Sequence, residues 1–138
     1  MVEYPGEPTE PSNGMVTKLS PRSVLATVER LLDLVKSREM TVFAVIDHSG
    51  EAEQVGMNLR ETKLVIFGSP AVGTPVMVAS PLAALDLPLK VLVWADGQTV
   101  KVSYNDPGYL AERHRLSGDL AARLAGIEML TDALVSAS

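Results

Sequence analysis

Asp47-His48-Ser49-Gly50-Glu51 is the stretch of this 138-residue chain whose side chains are best suited to chemistry. It follows a strongly apolar run, Val42-Phe43-Ala44-Val45-Ile46, so a histidine beside a carboxylate stands at the end of a core strand. Histidine exchanges protons near neutral pH. Strand alternation sends Asp47 and His48 to opposite faces, so these two do not form a dyad directly. Glu51 or Glu53, in the turn that follows, can curl back instead. His48 with Glu51 or Glu53 would make an acid–base pair for a small hydrolase or lyase, or part of a metal site. One histidine with carboxylates is a thin ligand set, and no metal site is assigned. The plainer reading is a strand-end histidine bonded to backbone.

Gly68-Ser69-Pro70-Ala71-Val72-Gly73-Thr74 follows a second strand-like run. Its glycines and threonine resemble a phosphate loop. Gly73 is followed directly by Thr74 with no lysine between, and Pro70 and Pro75 remove two backbone donors that such a loop uses. A turn with a helix cap is the simpler reading, which leaves Ser69 and Thr74 as contacts for a small polar ligand. Ser103-Tyr104-Asn105-Asp106-Pro107 is a third candidate. Tyr104 falls on the apolar face of its strand, in the core or a pocket wall. Asn105 can orient a ligand, though turn chemistry accounts for it equally well; Asp106 reads as a helix cap. Lys90 shares a strand face with Leu92 and Trp94, where it reaches a pocket rim or snorkels from the strand end. Met57, Met77 and Met129 sit at apolar positions and read as core fillers. The second histidine, His114, reads as solvated on a helix face. The candidate ligand contacts are thus His48, Ser69, Thr74, Lys90, Tyr104 and Asn105; no cofactor is identified.

Periodicity predicts the elements that must position these residues. A short strand over Met15 to Leu19 precedes a helix opened by Ser20-Pro21, with Val24, Val28, Leu31, Leu32 and Val35 on one stripe. Thr41 to His48, Lys63 to Phe67 and Leu89 to Trp94 read as strands apolar on both faces, with Phe43 and Val45 opposite Val42, Ala44 and Ile46. Both sheet faces should therefore be covered, by helices or by a partner subunit. Asp96-Gly97 signals a hairpin. The returning strand, Thr99 to Tyr104, alternates cleanly and carries Lys101, which suits an edge strand. A short helix from Pro107 to about His114 and a last helix from about Asp119 to Val135 close the chain. Thr74 to Leu87 is an apolar excursion in which Thr74-Pro75 starts a short helix and Ser80-Pro81 interrupts it.

Several of these runs resemble one family. They are Phe43-Ala-Val-Ile-Asp-His48, Thr62-Lys-Leu-Val-Ile-Phe-Gly68, Gly73-Thr-Pro-Val-Met77, Leu85-Asp-Leu-Pro-Leu-Lys90 and Ser103-Tyr-Asn-Asp-Pro107. Together they are similar to the family catalogued as domain of unknown function 302, over about Gly14 to Leu116. The resemblance implies an α+β, TATA-binding-protein-like fold, β-α-β(4)-α, with helices packed on a curved antiparallel sheet. It implies no established activity.

Length and composition set the remaining bounds. Residues 1–13, with three prolines and three glutamates, read as a flexible tail, and 14–138 as a single domain. Nothing near Met1 reads as a secretory signal, and no apolar run approaches the ~20 residues needed to span a bilayer. The absence of cysteine excludes thiolate catalysis and disulfides. A net charge of -5 and 4% aromatic residues argue against nucleic acid. The expectation is a cytoplasmic protein away from membranes, a homodimer built through its sheet or its Thr74–Leu87 segment, binding a small molecule or another protein. The alternative is the enzyme or metal site around His48.

Overall fold

The computed structural model describes residues 13–137, so all of the expected 1–13 tail except Asn13 lies outside the described residues. β1 (Met15–Ser20) leads into α1 (Val24–Ser37). Ser23, rather than Ser20, caps this helix, its hydroxyl accepting from the Ala26 N–H at 3.1 Å. Ser20 instead pairs with the Thr27 hydroxyl at 2.7 Å. That bond satisfies a hydroxyl that the sheet buries completely. Val24, Val28, Leu31 and Val35 form the expected buried stripe.

β2 (Thr41–Asp47), β3 (Thr62–Gly68), β4 (Leu89–Asp96) and β5 (Thr99–Asn105) complete a five-stranded antiparallel sheet in the order β1-β5-β4-β3-β2. The β4–β5 hairpin turns at Gly97, whose φ of +63° is the left-handed conformation glycine tolerates. β5 is not an edge strand; β1 and β2 are the edges. Lys101 marks a half-wet sheet face instead. It lies over the Trp94 ring at 5.4 Å and pairs with Asp96 at 2.8 Å.

Val65, Phe67, Val91, Val93, Val102 and Tyr104 point to the face that α1 and α6 (Gly126–Val135) cover. Burial of each such side chain contributes about 1.5–3 kcal/mol. Ile46, Leu64, Ile66, Leu92 and Trp94 share the opposite face, remain partly exposed, and belong to neither buried cluster. Among the described residues, helices thus line one face only. The register also shifts between Val42 and Ala44. Val42 pairs with Phe67 toward the core while Ala44 pairs with Ile66 on the other face. The expected Val42-Ala44-Ile46 alignment fails because one extra residue, Phe43, bulges from this edge strand.

The rest of the chain builds a smaller core beyond the sheet end. α3 (Pro70–Ala79), a 3₁₀ turn (Pro81–Leu85), α4 (Pro107–Arg113) and α5 (Gly118–Arg123) enclose Val76, Ala83, Leu110 and Leu124. The single last helix expected from Asp119 to Val135 is broken between Arg123 and Gly126. The break lets Leu120 and Leu124 face the small core while Ile127, Leu130 and Leu134 face the sheet. α2 (His48–Gln54) replaces the expected turn after β2.

Candidate functional site

The Asp47-His48-Ser49-Gly50 run is organised by a helix start. Asp47 caps α2, its Oδ1 accepting from the Gly50 N–H at 2.9 Å and from the Ser49 hydroxyl at 2.8 Å. The Ser49 hydroxyl in turn accepts from the Thr62 N–H at 3.2 Å, tying the turn to β3. A Cβ on Gly50 would stand 2.6 Å from the Asp47 carboxylate, so glycine here keeps the cap in place. The Gly50 N–H, the Ser49 hydroxyl and Lys63 hold the Asp47 carboxyl below its ordinary value. His48, Glu51 and Glu53 are all exposed. No cluster of three potential metal-ligating side chains occurs among the described residues.

Three other candidates also stand apart from any cavity described. Tyr104 is buried on the helix-covered face, where its hydroxyl donates to Glu128 Oε2 at 2.9 Å. Burial raises its pKa. Lys18 lies over the same ring at 5.2 Å and donates to Thr131 and Asp132 at 2.7 and 2.8 Å. Burial lowers the Lys18 pKa, but the bonds to Asp132 and Tyr104 more than offset this and leave it raised. These groups clamp α6 to the β1 edge. Lys90 turns back to the Pro88 carbonyl at 3.2 Å. Asn105 ends β5, partly exposed, paired in register with Met15.

Ser69 and Thr74, by contrast, come together. β3 ends at Gly68 because Pro70, with its fixed φ, begins α3. Helix formation therefore starts earlier than Thr74-Pro75, and Gly73 sits inside the helix rather than in an anion-cradling loop. Between this helix start, the segment entering β4 and α5 lies a cavity of about 320 Å³. Its apolar wall is Phe43, Val72, Met77, Leu87, Pro88, Leu89 and Leu124. The bulge in β2 is what brings Phe43 there, its ring 4.0 Å from where a Cβ on Gly68 would stand. Among the described residues the lining carries few polar groups, namely Ser69, Thr74 and Arg123. Ser69 makes no side-chain cap bond to α3, and neither Thr74 nor Arg123 has a side-chain partner among the described residues. A site of this size and character suits a small molecule with an apolar body. Sequence reasoning missed Phe43 and Arg123; the first became visible only with the bulge, and nothing local singled out the second.

His114 is likewise not on a solvated face. Its side chain is 7% exposed and its Nε2 lies 2.6 Å from Asp86 Oδ2, which also binds Arg113 at 3.1 Å.

The chain matches the family model described as "Domain of unknown function DUF302" over residues 16–135. Proteins named "Fluoride-specific ion channel FluC 1" from Brucella suis and Brucella abortus are 41% identical over 123 residues. The matches cover 87% of this chain but 48% and 46% of those proteins, so the chain spans about half their length. A crystal structure of an uncharacterized conserved protein, DUF302, from Bacillus stearothermophilus has a TM-score of 0.75 at 20% identity. That likeness covers 88% of this chain and 95% of the other, and shows the shared fold.

Proposed function

This chain belongs to the family of domain of unknown function 302, and on that footing we propose that it is a non-enzymatic module that binds a small molecule and pairs with a second copy of itself. The observation carrying the binding role is the cavity at the sheet end, where Ser69 and Thr74 present unused hydroxyls to an apolar wall. An enzyme built on His48 with Glu51 or Glu53 has less support, because all three are exposed away from the cavity lining. The dimer reading is supported by the Thr74–Leu87 segment, where Val78, Leu82 and Leu85 are 77%, 71% and 71% exposed. No helix among the described residues is long and apolar enough to cross a membrane.

Gly73 provides the test of the binding role. A Cβ there would sit in ordinary contact with the Met77 methyl at 3.9 Å, so a larger side chain enters the cavity without striking backbone. Titration with 1-octanol, a neutral apolar probe, should shift the Met77 methyl resonance, and Gly73→Leu should abolish the shift while the domain stays folded. A methyl signal that 1-octanol, octanoate and octylamine all leave unmoved in the unaltered protein would sink the reading.

A further inference from the structure

We propose that the cavity takes an anionic amphiphile, a medium-chain carboxylate, with its apolar chain inside and its carboxylate on Arg123. This rests on the binding role proposed above and specifies its ligand class.

The argument is one of charge and size. Among the described residues Arg123 is the cavity's single charged lining residue, and none of the carboxylates lies in the wall. Asp119 sits one turn earlier on the same helix, at the spacing at which opposite charges can pair. Yet no ion pair joins Asp119 to Arg123, and the guanidinium has no partner among the described residues. A planar cation held beside apolar surface is matched by a carboxylate, which it binds through paired N–H donors. Ser69 and Thr74 add hydroxyls that donate to the same anion. A volume of 320 Å³ holds roughly ten water-sized groups. That accommodates a chain of about eight carbons with its head group. The wall is formed by Phe43, Met77 and Leu87, and methionine conforms to flexible chains.

Calorimetric titration with octanoate, 1-octanol and octylamine tests this. Octanoate should bind most tightly. Arg123→Gln should weaken octanoate roughly tenfold, in line with loss of a charge-assisted bond, and leave 1-octanol unchanged. Arg123 is exposed, so the substitution leaves the fold intact. Equal binding of all three probes would overturn the carboxylate assignment while the binding role stood. Binding by none of them would overturn both.

Discussion

Asp47 shows how a residue that looks chemical is explained by local backbone demands. A helix start leaves N–H groups without partners, and the Asp47 carboxylate takes the Gly50 N–H while Ser49 and Lys63 add to the same anion. Its folded pKa is therefore lowered relative to the unfolded chain. The sign follows directly. The unfolded carboxyl protonates near its ordinary value of about 4, whereas the folded one stays ionised to lower pH. The stabilisation is complete above the unfolded value and is lost as pH falls through the folded one. Asp47→Asn keeps a capping oxygen but removes the charge, so its loss of stability between about pH 5 and pH 2 should be shallower than in the unaltered protein. Urea midpoints measured across that range check this; parallel curves would show that the charge does nothing there. Asp96, held low first by its bond to Lys101 and then by Arg60, contributes in the same direction. His48 is the neighbour that drew attention, yet it is exposed at the cap while the work of the motif falls on the residues around it.

At the scale of elements, the small core depends on one tether. The 3₁₀ turn Pro81–Leu85 is short and leaves Leu82 and Leu85 in solvent, so its own burial holds it weakly. Asp86, which follows it, is fixed by His114 and Arg113 at the end of α4. Ser80, just before it, donates to the His114 carbonyl at 3.3 Å. Both ends of the turn are thus pinned to one helix terminus. His114→Ala removes a buried ring and leaves Asp86 with a more exposed partner, so it should destabilise the domain by about 1–3 kcal/mol. Thermal unfolding checks the value, and an unchanged midpoint would remove the tether from the account. The sequence made the large elements legible for a physical reason. The continuous apolar runs of β3 and β4, the alternation of β5 and the 3.6-residue stripe of α1 each answer to one extensive buried surface. Features that answer to contacts between distant segments were hidden. The bulge at Phe43 preserves the hydrophobic pattern while shifting its phase by one residue. The break before Gly126 separates two apolar stripes that read as one when joined. His114 read as solvated because its neighbours Arg113 and Arg115 are charged, whereas its partner Asp86 lies 28 residues away. For the candidate site, Ser69 and Thr74 were legible because a strand visibly gives way to a proline-started helix. Arg123 joins them only through tertiary packing.

For the whole molecule, the unresolved demand is exposed apolar surface. Among the described residues it lies in the Val78, Leu82 and Leu85 patch, in the Val55, Met57 and Leu59 stretch after α2, at Met129 on α6 and, more weakly, on the uncovered sheet face, so Met57 and Met129 are not the core fillers expected of them. The sheet face is the milder case. Its side chains are partly shielded by one another, and toward β5 and β1 it becomes polar, with Ser103 bonded to Trp94 at 3.0 Å and to Thr17 at 2.8 Å. The patch is the stronger case. Leu82 and Leu85 are three apart in a 3₁₀ turn, so they share one side of it, and both are more than 70% exposed. A second copy offers the same apolar side in return, which is the self-complementarity a two-fold interface needs. Leu82→Lys places a charge at the centre of such an interface without touching either buried cluster. Sedimentation velocity at micromolar concentration should give a dimer for the unaltered chain, a monomer for Leu82→Lys, and a dimer for Leu92→Lys on the sheet face. A monomeric unaltered chain would end the dimer reading. Dissociation by Leu92→Lys alone would move the interface to the sheet, where the partly buried Ile66 and Leu64 would then be its centre.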